Sequence, residues 1–541
     1  MNSVQPSQPA WLVKALQKRQ ARAQAIQTQL AYVENSGELY NEGVDQKKVS
    51  PASSSRRELT EIDRIEEIVA SISSREITAV GLCSAYIKSL TEILFEDALK
   101  HAQELDMFFK EHGRLLGPLH GVPVTLKDQF NIKGYDSTLG YVGRAFKPAS
   151  EDAVLVKLLK QLGAIVIAKT NLPQSIMWCE TENPLWGLTV HPKNPDFTPG
   201  GSSGGESAVL SMHGSVIGWG TDIGGSIRIP SHMLGLYGLK PSSGRFPYQG
   251  VAVSTEGQEH VPSVAGPLGR NLESIITVTK VVIDAAPWTL DPKCHPIPWR
   301  NEAFLEVQSR PLTVGLLIDD GVVRVHPPIA RVLEEVATRL RNAGHELIPW
   351  HPGDDHRECI EIMDQYYTAD GGEDIRREME AGGEPYIPHV EALVNRGKPI
   401  SVYSYWQLNK RKLAAQKRYL DKWNAAHSPS GRKADVLLMP IMPHTAVPHR
   451  HCRWVGYTKV WNFLDYTALS LPAGAVSKEL DPKLEALPYY EPRNEMDGWN
   501  WQAYDVDSMD GMAVGVQIVG QRLEEEKVLG VAKVIEGLLR A

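Results

Sequence analysis

The residues from 199 to 231, PGGSSGGESAVLSMHGSVIGWGTDIGGSIRIPS, place serines between paired glycines. Glycine loses more backbone freedom on folding than any other residue. Three pairs in one segment, Gly200-Gly201, Gly204-Gly205 and Gly224-Gly225, therefore imply unusual dihedrals or a ligand close to the main chain. These pairs bracket Ser202, Ser203 and Ser226. A serine hydroxyl is a weak nucleophile until a base takes its proton, and the oxyanion formed on acyl attack needs fixed donors. The run Thr221-Asp222-Ile223-Gly224-Gly225-Ser226 offers a nucleophile and donors together, because amides at bare glycines can converge into a nest beside Ser226. A base is available upstream in GPLHGVPVTLKDQFNIKG. There the apolar, β-branched run 122–126 predicts a buried strand ending at Lys127. Burial disfavours an ammonium, so this lysine is expected to have a lowered pKa and to accept a proton as the neutral amine. The combination points to a hydrolase.

Blander readings of the same residues fail on context. A Gly/Ser tract can be a flexible linker, but this one runs straight into the apolar segment 208–217. The same residues match the G-x-S-x-G elbow of α/β-hydrolases, yet an elbow serine follows a strand and this one follows Asn194-Pro195-Asp196-Phe197-Thr198-Pro199. His444, His449, His451 and Cys452 lie close together, but their spacing fits no common zinc pattern. A proline-stiffened loop near the active-site mouth is expected there instead. Neither a P-loop nor a dinucleotide fingerprint is present, and the expected chemistry uses no cofactor and no metal.

Further motifs carry a resemblance. The chain resembles the amidase signature family, which includes fatty acid amide hydrolases, fungal acetamidases and the amidotransferase subunits that release ammonia from glutamine. The matching stretches are GVPVTLKD at 121–128, AKTNLPQS at 168–175, the glycine-serine segment, GLKPSSGR at 238–245 and VGVQIVG at 514–520. Two more, EGQEHVPSVAGPLGR at 256–270 and the long run at 439–474 beginning MPIMPHTAVPHRHC, are most similar to the fungal acetamidase-like branch.

The resemblance implies a Ser-Ser-Lys triad. In it Lys127 is the base, Ser202 the bridging serine preceded by a cis peptide bond, and Ser226 the nucleophile. It implies an oxyanion hole from the backbone of Ile223, Gly224, Gly225 and Ser226. Ile176, Met177 and Trp178 are expected to line the acyl pocket, with Ser202 and Asp222 also beside the substrate, and the indole of Trp178 to favour small or flat acyl groups. Asp222 and Arg228 are further expected to organise the nest through charge-assisted hydrogen bonds. The implied reaction is hydrolysis of a small-molecule amide through an acyl-enzyme, with ester hydrolysis as a side activity. The alternatives are a glutamine-hydrolysing subunit that passes ammonia to a partner and a catalytically silent binding relative. One departure concerns the helix expected at 80–88. It leads at once into Leu90-Thr91-Glu92-Ile93, about ten residues, or three turns, sooner than in that branch.

Composition bounds the rest. With 541 residues and 42% hydrophobic content the chain can bury a large core. A formal charge of −8 argues against general nucleic-acid affinity. The five cysteines, Cys83, Cys179, Cys294, Cys359 and Cys452, are scattered and odd in number. That usage fits reduced thiols and a cytoplasmic enzyme, as does the lack of a leader or of an apolar run near the ~18 residues of a membrane span.

These residues must be positioned by an α/β framework. Helical spacing at 152–162, a turn at Gly163 and a short apolar run at 164–168 predict alternating helices and strands, hence a mixed central sheet covered by helices on both faces. The pattern recurs with a strand at 514–519 and a helix at 524–539. Residues 354–398, acidic and punctuated by Gly and Pro, read as an irregular cover that joins a helix at 402–423 over the active site. At the N-terminus, 11–33 reads as an amphipathic helix with Leu12, Leu16, Ala23, Ile26, Leu30 and Val33 on one face and Lys14, Lys18, Arg19 and Arg22 as its charges. That arm and a polar linker, 1–60, would precede a catalytic domain at 61–541. Docking on the protein's own body or in a homodimer is expected of the arm, rather than contact with a membrane.

Overall fold

The structure, a computed structural model, describes residues 8–35, 64–74 and 93–541. The shortened helix expected at 80–88 and Cys83 lie outside the described residues.

Among the described residues ten strands form one mixed sheet, and two very short ones make a separate hairpin. In chain order the strands are β1 (Pro123–Lys127), β2 (Ile165–Thr170), β3 (Glu182–Asn183), β4 (Gly187–Leu188), β5 (Ile217–Asp222) and β6 (Tyr237–Lys240). There follow β7 (Val264–Gly269), β8 (Thr313–Leu316), β9 (Glu346–Pro349), β10 (Val436–Pro440), β11 (Ala468–Ala475) and β12 (Ala513–Val519). The large sheet has the order β2-β1-β5-β7-β6-β11-β12-β10-β8-β9, and β3 pairs with β4. Its two ends, β2-β1-β5 and β10-β8-β9, are parallel, and the strands between them pair antiparallel. The expected mixed sheet is therefore present.

Helices cover both faces, and the period-two geometry of a strand shows how. On β10, Val436 and Leu438 enter one core cluster, while Leu437 and Met439 enter the other. The first cluster is closed by Phe95–His112, Leu272–Asp284 and Glu525–Arg540, the second by Asp354–Tyr367, Val402–Ala425 and Gly456–Phe463. Sequence boundaries hold to within a few residues at Val154–Gln161, β2, β12 and Glu525–Arg540.

The cover at 354–398 is more regular than expected. It forms three helices, Asp354–Tyr367, Glu373–Gly382 and Pro388–Val394. The glycines and prolines that suggested irregular chain sit at the helix boundaries: Gly371, Gly372 and Gly383 have positive φ, and Pro388 opens the third helix.

The N-terminal helix, Ala10–Asn35, is also present, but its docking face differs from the predicted one. Leu16 is 43% exposed, whereas Ala15 is buried among Val142, Ala145 and Leu185. The basic side follows Ala15 inward. Lys18 Nζ donates to Asp136 Oδ2 at 2.7 Å, and Arg19 donates to the carbonyls of Leu185 and Pro184, each at 2.7 Å. Lys18 and Arg22 also lie over the Trp186 ring. The lysine and arginine stems supply contact area and their heads meet acceptors, so a weakly apolar helix docks by its charged side. No helix among the described residues is long and apolar enough to cross a membrane.

Candidate active site

Lys127 is the last residue of β1, which lies between β2 and β5 with all five residues buried. Alternation along the strand sends Val124 and Leu126 into the apolar core and Thr125 and Lys127 to the opposite side. There Lys127 Nζ lies 2.6 Å from Ser202 Oγ and 3.0 Å from Thr221 Oγ1. The Thr221 hydroxyl donates onward to Gln129 Oε1 at 2.6 Å. No part of Lys127 is exposed, and burial lowers its pKa to about 7 against the opposing pull of Asp222, Glu206 and Asp128. Beneath it sits Glu206, on the helix Gly204–Ser211. Its carboxyl accepts from the hydroxyls of Thr125 and Thr170 at 2.6 and 2.7 Å, and burial raises it to about 8 despite those bonds and the nearby lysine. Both groups thus sit near the point where the neutral form takes over at physiological pH.

The Gly201–Ser202 peptide bond is cis. A side chain at Gly201 would come within 2.7 Å of the Glu180 nitrogen, so glycine lets the serine loop pass against the 179–180 backbone. Ser203 N–H donates to the Ser226 carbonyl at 3.2 Å, which ties the first serine segment to the second. Ser202 is 2% exposed and Ser226 9%. Lys127, Ser202 and Ser226 are thereby gathered at the ends of β1 and β5.

The predicted donors do not all have the same environment. Gly225 N–H donates to Asp222 Oδ1 at 2.8 Å, whereas the amides of Ile223, Gly224 and Ser226 have no hydrogen-bond acceptor among the described residues. The carboxylate of Asp222, expected also to lie beside the substrate, is fully buried. It accepts from Ile227 N–H at 3.1 Å, from Asn462 Nδ2 at 2.8 Å and from Arg228 at 2.9 and 3.0 Å. Burial alone would raise this carboxyl, but the Arg228 charge and its hydrogen bonds hold it at about 2. Arg228 is buried too, and also donates to the Thr458 carbonyl, Gln517 Oε1 and Asn462 Oδ1.

Ile176, Met177 and Trp178 do not share one environment. Ile176, at φ +60, packs with Leu139, Tyr141, Met379 and Val390, and Met177 joins the same cluster. Trp178 is turned to the ring of His389, stacked at 4.5 Å between centroids. The three-residue stretch thus packs against the cover helices Glu373–Gly382 and Pro388–Val394.

The histidine-rich loop at 444–452 is a structured loop beside this region. His449 and His451 bond to backbone carbonyls, and Cys452 N–H donates to Glu180 Oε1 at 2.8 Å. Among the described residues no group of three or more His, Cys, Asp or Glu is placed to hold a metal. Sequence reasoning assigned no part to Glu206, Thr221, Gln129, Tyr367 or Thr458. The first three fall inside or beside its motifs, but nothing in their spacing shows which hydroxyl meets the lysine.

A large mixed sheet covered by helices, with a buried lysine and two serines at its strand ends, defines an α/β protein with side chains suited to acyl transfer. Comparison with known proteins narrows this. The family model described as Amidase matches residues 78–529. The chain is 59% identical over 485 residues to "Amidase 1" of Gibberella moniliformis, covering 88% of this chain and 92% of that protein. It is 39% identical over 488 residues to "Acetamidase" of Emericella nidulans, covering 87% and 88%. Among solved structures it superposes on "Fatty acid amide hydrolase" with a TM-score of 0.87 at 30% identity, covering 98% of this chain and 95% of that one. The chain belongs to the amidase family, and it is an amide hydrolase of the amidase signature class.

Proposed function

We propose that the protein cleaves a small carboxamide to a carboxylate and ammonia or an amine through a Ser226 acyl-enzyme, with Ser202 and Lys127 as the proton relay. The observation that carries this reading is the contact of 2.6 Å between a wholly buried Lys127 Nζ and Ser202 Oγ. A lysine whose pKa is lowered to about 7 spends a large part of its time neutral and able to take a proton. In the acylation step Ser226 Oγ bonds to the amide carbon while its proton passes to Ser202 and that of Ser202 to Lys127. The C–N bond then breaks, and the same relay returns a proton to the departing nitrogen, which is a very poor leaving group without it. Water attacks the acyl-enzyme by the reverse relay and releases the carboxylate and free Ser226. The amides of Ile223, Gly224 and Ser226 stabilise the oxyanion in both steps. Trp178, narrowing one side of the pocket, favours small or flat acyl groups.

The test is ammonia release from aliphatic, aromatic and glutamine amides by the purified protein without a partner. Ser226→Ala and Lys127→Ala should each lower kcat by about 10³-fold or more, as removal of one member of a catalytic unit does. Full activity in Ser226→Ala would refute the assignment of the nucleophile. Preference for glutamine would move the protein to the amidotransferase-like class.

A further inference from the structure

The turn that follows β5 is held in an unusual way. Each carbonyl from Asp222 to Ser226 accepts a hydrogen bond from a donor outside the nest. Asn462 Nδ2 serves the Asp222 carbonyl at 3.2 Å and Thr458 Oγ1 the Gly224 carbonyl at 2.6 Å. Ile229 N–H serves that of Gly225 at 2.7 Å, and Ser203 N–H that of Ser226 at 3.2 Å. The remaining one, Ile223, accepts from Tyr367 Oη at 3.0 Å. A peptide plane is rigid, so fixing a carbonyl on one side fixes the direction of the N–H across it. Holding the Ile223 carbonyl therefore orients the Gly224 N–H, one of the three amides with no acceptor of their own.

Tyr367 differs from the other four donors in its origin. It ends the cover helix Asp354–Tyr367, whereas the rest come from the serine loop, from the short helix after Ser226 or from Gly456–Phe463. Its hydroxyl lies 2.7 Å from where a side chain on Gly224 would begin, so any larger residue there would push the hydroxyl aside. Burial, with Asp364 and Asp222 nearby, raises this phenol well above its usual range, so it stays protonated and able to donate.

We propose that Tyr367 is a positioning residue for amide hydrolysis: by donating to the Ile223 carbonyl, it turns and polarises the Gly224 N–H toward the developing oxyanion. Docking of the cover helix then completes the oxyanion hole, so that an element far along the chain readies the site for chemistry. This rests on the proposed acyl-enzyme mechanism. A donor whose carbonyl is itself hydrogen-bonded is the stronger donor. Its benefit appears in the tetrahedral state, where the substrate oxygen carries charge, more than in the Michaelis complex.

The variant Tyr367→Phe removes only the hydroxyl. It should lower kcat about ten-fold, less than the 10²–10³ lost with a whole oxyanion donor, and leave KM within about two-fold. A boronic acid that forms a tetrahedral adduct on the nucleophile should bind about ten-fold more weakly, while a product carboxylate binds as before. A purely structural role would alter both ligands together or neither. Unchanged kcat and boronate affinity, or a loss appearing only in KM, would overturn the proposal. Should the variant prove unstable, replacing Tyr367 by 3,5-difluorotyrosine keeps the ring and strengthens the donor. The kcat should then hold or rise at a pH below the fluorinated phenol's pKa, and a ten-fold fall would count against the inference. Ser226→Ala measured in parallel separates the two layers. If it is inactive and Tyr367→Phe is normal, only the positioning role fails; if Ser226→Ala is active, the underlying mechanism fails.

Discussion

Lys127 can act as a base only in its neutral form, and its burial lowers it to about 7. In the proposed mechanism kcat/KM therefore rises as pH increases through about 7, because deprotonation creates the active form. Glu206 raises the lysine's pKa when ionised, but it is itself raised to about 8 and so is mostly neutral where the lysine titrates. Glu206→Gln keeps a neutral hydrogen-bonding group between Thr125 and Thr170, so the rising limb should stay within about half a pH unit of its place. A pH–rate profile of the two proteins checks this, and a limb that moves down by about one unit or more would show that Glu206 is ionised beside the lysine. The sequence placed the lysine at a strand end because the apolar run before it was continuous. It gave no hint of Glu206 as its neighbour, since Glu206, 81 positions beyond Thr125, meets β1 only through the packing of a helix on that strand.

The turn from Asp222 to Ile227 is an element whose shape depends on one buried ion pair. Asp222 and Arg228 are both wholly buried, with side-chain contacts of 2.9 and 3.0 Å. Removing one partner of such a pair leaves an uncompensated charge, so Asp222→Asn should cost about 3–5 kcal/mol, read from urea denaturation. Because Asp222 is held at about 2, below its ordinary value of 3.8, it favours the fold fully above pH 4. That contribution declines as pH falls through about 2. The same turn needs glycine at 225, where φ is +135 and an added side chain would lie 2.3 Å from Thr458 Oγ1. Gly225→Ala should abolish activity even where soluble protein is recovered, which an ammonia assay on the refolded fraction would show. Paired glycines in the sequence announced a special backbone at this point. Which of the amides would be kept for a ligand was illegible, because that depends on where Asp222 turns its carboxylate.

Between distant parts of the chain, the N-terminal helix and the body meet through charge as well as apolar contact. Lys18 and Arg19 together make three hydrogen bonds to Asp136, Leu185 and Pro184, at partly covered positions. The double variant Lys18→Ala, Arg19→Ala should lower stability by about 1–3 kcal/mol after allowing for solvent screening, with little effect on kcat. Comparison of unfolding midpoints and initial rates tests it, and equal midpoints would show that the docking adds nothing. Here the hydrophobic pattern misled: Leu16 marked the expected face, yet Ala15, Lys18 and Arg19 mark the real one. Helical periodicity reports where apolar side chains lie, but long cationic side chains can dock by their stems, and periodicity does not see that.

From its residues alone the chain determined the strand-ending lysine, the glycine-bounded serines, the alternation of helices and strands and the regular helix at the N-terminus. Each is a local matter of backbone preference, side-chain spacing and burial over a few neighbouring positions. Folding alone decided that Gly225 gives its N–H to Asp222 and that Tyr367 from a distant cover helix reaches the Ile223 carbonyl. Those depend on contacts between groups far apart in the chain. Their geometry comes from how the sheet stacks its helices, to a fraction of an ångström, and no spacing along the sequence encodes it.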